Sequence, residues 1–178
     1  MTTAESFETF VRRYQDMVFA GAVRLLGNPA DAEDVAQTVF LRAFQRFSEL
    51  AGNPAAAGWL RTTTRNACLN HLTRYRGRLR LFSEMDGEDG APYEDGLASR
   101  VSHAIESERA DAAERLERAV WQLPDHQRVP LVLFHFEELS YEAIAEALGV
   151  SLGKVKTDIH RGRQALKRLL LEGIDAAR

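Results

Sequence analysis

The chain has 178 residues, 45% of them apolar, and a formal net charge of −3, so it is long enough for one domain or two small ones. It has no apolar run of membrane-spanning length, no signal-peptide pattern at Met1 and no Cys/His cluster with metal-ligand spacing. The single cysteine, Cys68, excludes an internal disulfide and indicates a reduced compartment. We therefore expect a cytoplasmic protein with no cofactor, no metal site and no membrane insertion.

Three helices are predicted in the first part of the chain. Apolar residues recur at helical spacing over residues 7–25, and Gly27 is expected to end that helix. Asp31 is expected to cap a second helix, and after a loop over residues 48–58 a third helix should run over about residues 59–76. The inner face of the second helix is expected to carry Val35, Val39, Ala43, Phe44 and Phe47.

The segment 77–102 is rich in glycine and mostly acidic, which is typical of a flexible linker. Beyond it, one helix is expected to end near Leu123, and a shorter one should cover about residues 125–136. No convincing strand alternation occurs anywhere in the sequence. The sequence therefore predicts an all-α protein with two small helical domains, 1–76 and 103–178, joined by a flexible linker.

A helix-turn-helix pattern lies within residues 139–170. Ser140 is expected to cap its first helix, Gly149 to end that helix in the left-handed conformation, and Ser151 to cap the second helix. The second helix is basic apart from one apolar stripe, made of Val155, Ile159, Leu166 and Leu170. This is the outline of a device that lays a helix in the major groove of DNA, although a basic helix packed on a small bundle would carry the same charge.

The charge is unevenly distributed although its sum is small. No acidic residue occurs in residues 50–83, whereas acidic residues dominate residues 84–108. The acid-free stretch contains Arg61, Arg65, Arg74, Arg76, Arg78 and Arg80. Two basic surfaces separated by an acidic segment indicate a protein that contacts one DNA at two places.

Three segments lie in a characteristic order along the chain. They are RLLGNPADAEDVAQTVFLRAFQRF (24–47), WLRTTTRNACLNHLTRYR (59–76) and the stretch 123–166, which contains LSYEAIAEALGVS. Together they resemble the extracytoplasmic-function (ECF) sigma factors of the sigma-70 family. The resemblance implies a transcription initiation factor, not an enzyme. Such a protein binds core RNA polymerase and promoter DNA, works under an anti-sigma factor and has no small-molecule substrate. Its first domain opens the −10 element and its second reads the −35 element.

The resemblance also implies roles for individual residues, each with a simpler alternative. The residues that would bind polymerase are Asp34, Gln37, Leu41 and Arg42 of the second predicted helix. Helix capping and compensation of the helix dipole would also explain the acids at the start of that helix. The opened −10 strand would contact Asn53, Trp59, Arg61, Arg65, Asn66, Arg74 and Arg76. A core position is the alternative for Trp59, and a solvated face is the alternative for the arginines. In the stretch Ala55-Ala56-Ala57-Gly58, the chain departs from the family, which usually has a bulky residue there.

The −35 element would contact the second helix of the helix-turn-helix through Ser151, Lys154, Lys156, Thr157, Asp158, His160, Arg161 and Arg163. Lys154, Thr157, Asp158 and Arg161 are expected on or near the DNA-facing side, with Lys156 and Arg163 on phosphates. Relatives often have Thr where Lys154 stands and Arg where Asp158 stands, so an unusual upstream element is expected.

Two other functional classes compete with this interpretation. A stand-alone helix-turn-helix regulator would bind an operator without polymerase, but it has no need of the motif at 31–47 or of the acid-free helix. An enzyme would need carboxylates or histidines gathered around a metal or a nucleophile, and the sequence shows no such constellation.

Overall fold

The computed structural model describes the backbone of residues 6–74 and 106–175 and the side chains of residues 6–73 and 111–171. These residues form helices and no strand, which confirms the all-α prediction for the described ranges. The helices are α1 (Phe7–Leu26), α2 (Pro29–Gln45), α3 (Phe47–Leu50), α4 (Ala56–Arg74), α5 (Glu106–Gln122), α6 (Asp125–His135), α7 (Tyr141–Leu148) and α8 (Leu152–Asp175). They belong to two compact units, one with α1–α4 and one with α5–α8. The predicted linker 77–102 lies outside the described residues.

The first unit is built on α1, α2 and α4, which pack on one another. Ser6 caps α1 by accepting a hydrogen bond from the Thr9 amide at 3.2 Å, and Gly27 ends it with a φ of 65°. That left-handed value suits glycine, which confirms the predicted end of the helix. The apolar faces of the three helices form one core, with Phe10, Val18, Leu25, Val39 and Leu60 among its members.

The start of α2 differs from the prediction. Asn28, not Asp31, is the N-cap, and its Oδ1 accepts a hydrogen bond from the Ala30 amide at 2.9 Å. Pro29 then occupies the first helical position, where the missing N–H costs nothing. Asp31 lies in the first turn with a carboxylate oxygen 3.6 Å from His71 Nε2. The Asp31 cap was wrong because Asn28 and Pro29 complete a helix start three residues earlier.

The end of α2 and the segment after it correct three predictions. Val35, Val39 and Ala43 form a buried stripe as expected, but Phe44 is 61% exposed. Each residue of a helix is rotated from the one before it, so Phe44, directly after Ala43, points away from that stripe. Phe47 belongs to the separate helix α3, where its ring lies edge-on to that of Phe7 at 5.2 Å. The expected loop over residues 48–58 is therefore short, since α3 continues to Leu50 and α4 begins at Ala56, before Trp59.

The second unit contains the helix-turn-helix formed by α7 and α8. Ser140 caps α7 by accepting from the Ala143 amide at 3.1 Å, Gly149 ends it with a φ of 67°, and the Lys154 amide donates to Ser151 Oγ at 3.2 Å. All three sequence predictions are confirmed here. The core of this unit includes Val129, Leu133, Ile144, Val155 and Ile159.

Candidate nucleic-acid interfaces

The orientation of α8 is fixed by its close packing on α6. Val155 and Ile159 are fully buried, and Gly162 completes the same stripe. A Cβ added to Gly162 would lie 3.0 Å from Leu131 Cδ1 and 3.3 Å from the backbone oxygen of Gln127. Because the two helices approach this closely, the face of α8 opposite the stripe is turned outward.

Most of the residues predicted to contact DNA from α8 reach the surface. Ser151 and Lys156 are exposed. The half-buried residues are Lys154, Thr157, His160, Arg161 and Arg163. Asp158, in contrast, is only 4% exposed, so its expected place on the outer side is wrong. It lies three residues after Val155 and four before Gly162, and both of these positions face the interior.

Asp158 forms an ion pair with Lys154 one helical turn earlier. The Lys154 Nζ atom lies 3.2 Å from Oδ2 and 3.4 Å from Oδ1 of the aspartate. The lysine side chain is 21% exposed, so the pair joins a buried carboxylate to a half-buried ammonium. Two of the residues expected to approach DNA therefore interact with each other.

Arg163 is held by two residues of α6 that sequence reasoning did not identify. Its Nε donates to His135 Nε2 at 3.1 Å, and its guanidinium carbon lies 5.5 Å from the centre of the Phe134 ring. Since Nε2 accepts, the His135 ring is neutral with its proton on Nδ1. Burial, and then the charge of Arg163, lower the pKa of His135 below its ordinary value of 6.5. The 28-residue separation left no sequence signal for this contact.

Two further polar groups of α8 bond within the helix. The Thr157 hydroxyl donates to the Gly153 carbonyl at 3.0 Å, so the side chain can still offer a partner its methyl and the lone pairs of its hydroxyl oxygen. The His160 ring lies 3.0 Å from the Gln164 side-chain nitrogen, which fixes the orientation of that ring. Both residues nevertheless reach the surface on the outer side of the helix.

Helix α4 presents a different surface, because it has no acidic residue of its own. Its buried side is continued by Thr64, whose hydroxyl donates to the Leu60 carbonyl at 2.8 Å. Of the candidates for the opened strand on this helix, Arg61 and Asn66 are exposed and Arg65 is half-buried. The side chain of Arg74 and all of Arg76 lie outside the described part of the chain.

Trp59 lies at the edge of the core rather than within it. It is half-buried, and the Arg46 guanidinium carbon lies 5.8 Å from its ring centre. Arg46 also donates to Glu49, with its Nη2 at 2.5 Å from Oε2. Asn53 is exposed but is used locally, since its Oδ1 accepts from the Ala55 amide at 2.9 Å and its Nδ2 donates to the Glu49 carbonyl at 3.1 Å. The contact of Arg46 with Trp59 was not anticipated from the sequence.

The outer face of α2 carries all four residues predicted to bind polymerase. Asp34, Gln37, Leu41 and Arg42 are exposed, with Leu41 at 66%. Gln37 also lines a groove of about 580 Å³ between α1 and α2, together with Val11, Gln15, Asp16, Phe19, Glu33, Ala36 and Phe40. An exposed leucine among polar side chains, beside a groove with aromatic walls, is suited to binding another protein.

Within the described residues, no group of three or more His, Cys, Asp or Glu side chains could hold a metal ion. The same ranges contain no helix that is long and apolar enough to cross a membrane.

Comparisons with known proteins identify both units. Residues 10–78 match the family model for sigma-70 region 2, and residues 113–166 match that for sigma-70 region 4. The ECF RNA polymerase sigma factor SigE of Mycolicibacterium smegmatis is 38% identical over 93% of this chain, which spans 62% of the relative's length. The ECF RNA polymerase sigma factor SigW of Bacillus subtilis is 30% identical over 93% of this chain and 89% of the relative.

A solved complex of the sigma factor RpoE with the anti-sigma factor NepR from Bartonella quintana gives a TM-score of 0.47 at 23% identity, covering 92% of this chain and 96% of that chain. The family assignment stands on the two family models and on the sequence relatives, which cover both units. The chain therefore belongs to the ECF sigma factors of the sigma-70 family, which are transcription initiation factors that direct RNA polymerase to promoters.

Proposed function

We propose that the two units divide the work of initiation. The first unit binds core RNA polymerase through the outer face of α2 and opens the −10 element with α4, and the second reads the −35 element with α8. The observation that carries this proposal is the capped helix-turn-helix, which turns a basic face of α8 away from α6. The predicted boundaries, 1–76 and 103–178 with a linker at 77–102, are part of the proposal.

The −35 assignment rests on the chemistry of the outer face of α8. Lys156 is exposed and can contact phosphate, which positions the helix without reading sequence. Arg161 can reach a guanine edge, and the Thr157 methyl can meet a thymine methyl. Ser151, at the N-cap, is exposed, and His160 is half-buried on α8, so both are accessible. Arg163, held by His135 and Phe134, is a second candidate for phosphate.

The −10 assignment rests on the residues at the start of α4. Trp59 is half-buried, so part of its indole is accessible to a base, while Arg61 and Asn66 are exposed two and seven residues further along the helix. A base that leaves the duplex loses stacking and needs a new aromatic or polar partner. Arg46 lies against the same indole, so a base must either displace it or use another part of the ring.

The partners follow from the family and from these surfaces. Core polymerase and promoter DNA are the direct partners, and an anti-sigma factor that covers the faces of α2 and α8 would silence the protein. We propose a cytoplasmic protein that changes no bond itself and takes no small-molecule substrate. A stand-alone operator-binding regulator is not favoured, because residues 10–78 match sigma-70 region 2 and the exposed face of α2 has no role in such a protein.

The test is run-off transcription with purified core polymerase on a library of promoters, each prepared as a closed duplex and with the −10 region pre-opened. Leu41→Asp should abolish polymerase binding on both templates, because it puts a charge into an apolar contact. Trp59→Ala should lower activity on the closed duplex by about tenfold to a hundredfold, as expected for one lost base–aromatic stack, and should be rescued on the open template.

Arg12→Ala is the matched control, since Arg12 is an exposed residue of α1 paired with Glu8. It should change neither polymerase binding nor opening. The proposal fails if the wild-type chain neither associates with core polymerase nor selects any promoter.

A further inference from the structure

The Lys154–Asp158 pair occupies the part of α8 that enters the groove. In a helix-turn-helix the base edges are read mainly by the N-terminal residues of the second helix. Lys154 is the third residue of α8, three positions after the cap at Ser151. Its ammonium nevertheless lies 3.2 Å from the carboxylate of Asp158, which is only 4% exposed. The lysine is thus bound towards the interior at a position where a DNA contact is expected.

Helix stability does not account for this pair. A cation in the first turn opposes the helix dipole, and an acid placed four residues after a base is the less favourable order of the two. A buried carboxylate, in contrast, needs a partner of opposite charge, because burying an unpaired charge costs several kilocalories per mole in lost hydration. Lys154 is therefore one of the partners that compensate Asp158, and moving its ammonium to DNA would take that partner away from a buried carboxylate.

We infer that Asp158 determines the base preference of α8 by holding the Lys154 ammonium away from the DNA. The inference rests on the proposed function, since it assumes that α8 reads the −35 element. Lys154 then makes no base contact, and the element is read by Thr157 and Arg161 further along the helix. Asp158 is a positioning residue that acts through Lys154.

Replacement of Asp158 with asparagine should release the lysine. The side chain keeps its shape and a hydrogen-bonding group, but the ammonium loses its counter-charge and can extend from its half-buried position. The holoenzyme should then bind −35 sequences about threefold to tenfold more tightly, with a salt slope steeper by about one. A preference for guanine should appear at the base pair that Lys154 reaches.

The experiment is a double-mutant cycle with the full chain and core polymerase. Wild type, Asp158→Asn, Lys154→Met and the double variant are each used to select −35 sequences from a random library, and the salt dependence of binding is measured on one selected promoter. The gain from Asp158→Asn should vanish when Lys154 is replaced by methionine. Lys156→Met is the matched control: it removes an exposed cation of the same helix and should leave the gain intact. Thermal unfolding of every variant separates these effects from loss of folding.

Two results would overturn the inference while leaving the proposed function standing. An equal gain in both Lys154 backgrounds would mean that Asp158 simply repels phosphate. Loss of the base preference in Asp158→Asn would mean that the carboxylate aims Lys154 at a base. If the wild-type holoenzyme forms but selects no upstream sequence, the assignment of α8 to the −35 element fails, and the inference fails with it.

Discussion

The two units differ in the contacts that supplement their apolar cores. In the first unit, the ends of α1 and α2 are joined by aromatic rings, with Phe7 edge-on to Phe44 at 5.0 Å and to Phe47 at 5.2 Å. In the second unit, the start of α6 depends on one buried arginine. Arg128 is 3% exposed and donates to the Leu123 carbonyl at 2.7 Å and to Asp125 at 2.6 Å. The aromatic contacts of the first unit involve several rings, so the loss of one ring removes only part of them. The two hydrogen bonds at the start of α6 both come from one buried arginine, so one substitution removes them together. The second unit should therefore be more sensitive to single substitutions.

The largest effect is expected from Arg128→Ala. The change removes two charge-assisted hydrogen bonds and leaves the Leu123 carbonyl without this donor, so the second unit should lose roughly 3 kcal/mol. The measurement is urea unfolding followed by NMR signals of α6–α8, with signals of α1–α4 recorded in the same samples. Arg118→Ala, which breaks an exposed pair with Glu114, is the control and should cost less than about 1 kcal/mol. Equal losses for the two variants would show that the buried hydrogen bonds of Arg128 contribute no more than an exposed ion pair, and the second unit would then not depend on this arginine.

A smaller loss is expected from Gly149→Ala in the turn between α7 and α8. The residue has a φ of 67°, and no atom lies within 4 Å of an added Cβ, so the cost is purely one of backbone conformation. We expect about 1–2 kcal/mol, measured by the same unfolding experiment. Gly149→Asn, which tolerates the left-handed conformation better, should lose less. If alanine and asparagine are equally harmful, backbone conformation is not the cause.

In the first unit, replacement of Gly21 in the interior of α1 should stabilise rather than destabilise the protein. Here the backbone is helical, and an added Cβ would meet only the Thr64 methyl at 3.9 Å, an ordinary contact. Gly21→Ala should therefore stabilise the first unit by about 0.5–1 kcal/mol. Its unfolding midpoint in urea should rise while the signals of α6–α8 stay unchanged. A fall in the midpoint would show that this part of the core has less room than its distances indicate.

The smallest effect concerns His135. Because its pKa lies below 6.5 in the folded protein, the unfolded chain binds the proton more readily. The stabilising contribution is therefore complete above pH 6.5 and decreases as the pH falls from 6.5 towards the folded pKa. Ring-proton NMR should show the low pKa directly. Arg163→Gln should raise it only part of the way, since burial is the larger cause, and Arg168→Gln on the same helix should not change it.

Sequence reasoning was most accurate where the signal is local. Ser140, Gly149 and Ser151 were identified as helix ends, and the structure confirms each, because a cap or a left-handed residue depends on neighbours within a few positions. Asp31 shows the limit of this reasoning. It had the right chemistry for a cap, but Asn28 with Pro29 was equally suitable and came first.

The surface that a residue occupies was harder to predict. Asp158 was expected on or near the DNA-facing side, yet helical rotation places it beside Val155 and Gly162, towards the interior. Phe44 was expected on the inner face of α2, yet it lies past the buried stripe. In both cases the angular position of the residue on its helix decided which side it faces.

The sequence by itself determined the main helices, several of their ends and the family, because backbone conformation and capping are set by residues close together in the chain. Only the tertiary structure decided which neighbours hold three of the cations in place. Arg163 meets His135 and Phe134, Lys154 meets a carboxylate that packing has buried, and Arg46 lies against Trp59. The contacts of Arg163 and Arg46 join different helices, and the burial of Asp158 depends on how α8 packs on its neighbours. None of them can be read from the order of residues along one helix.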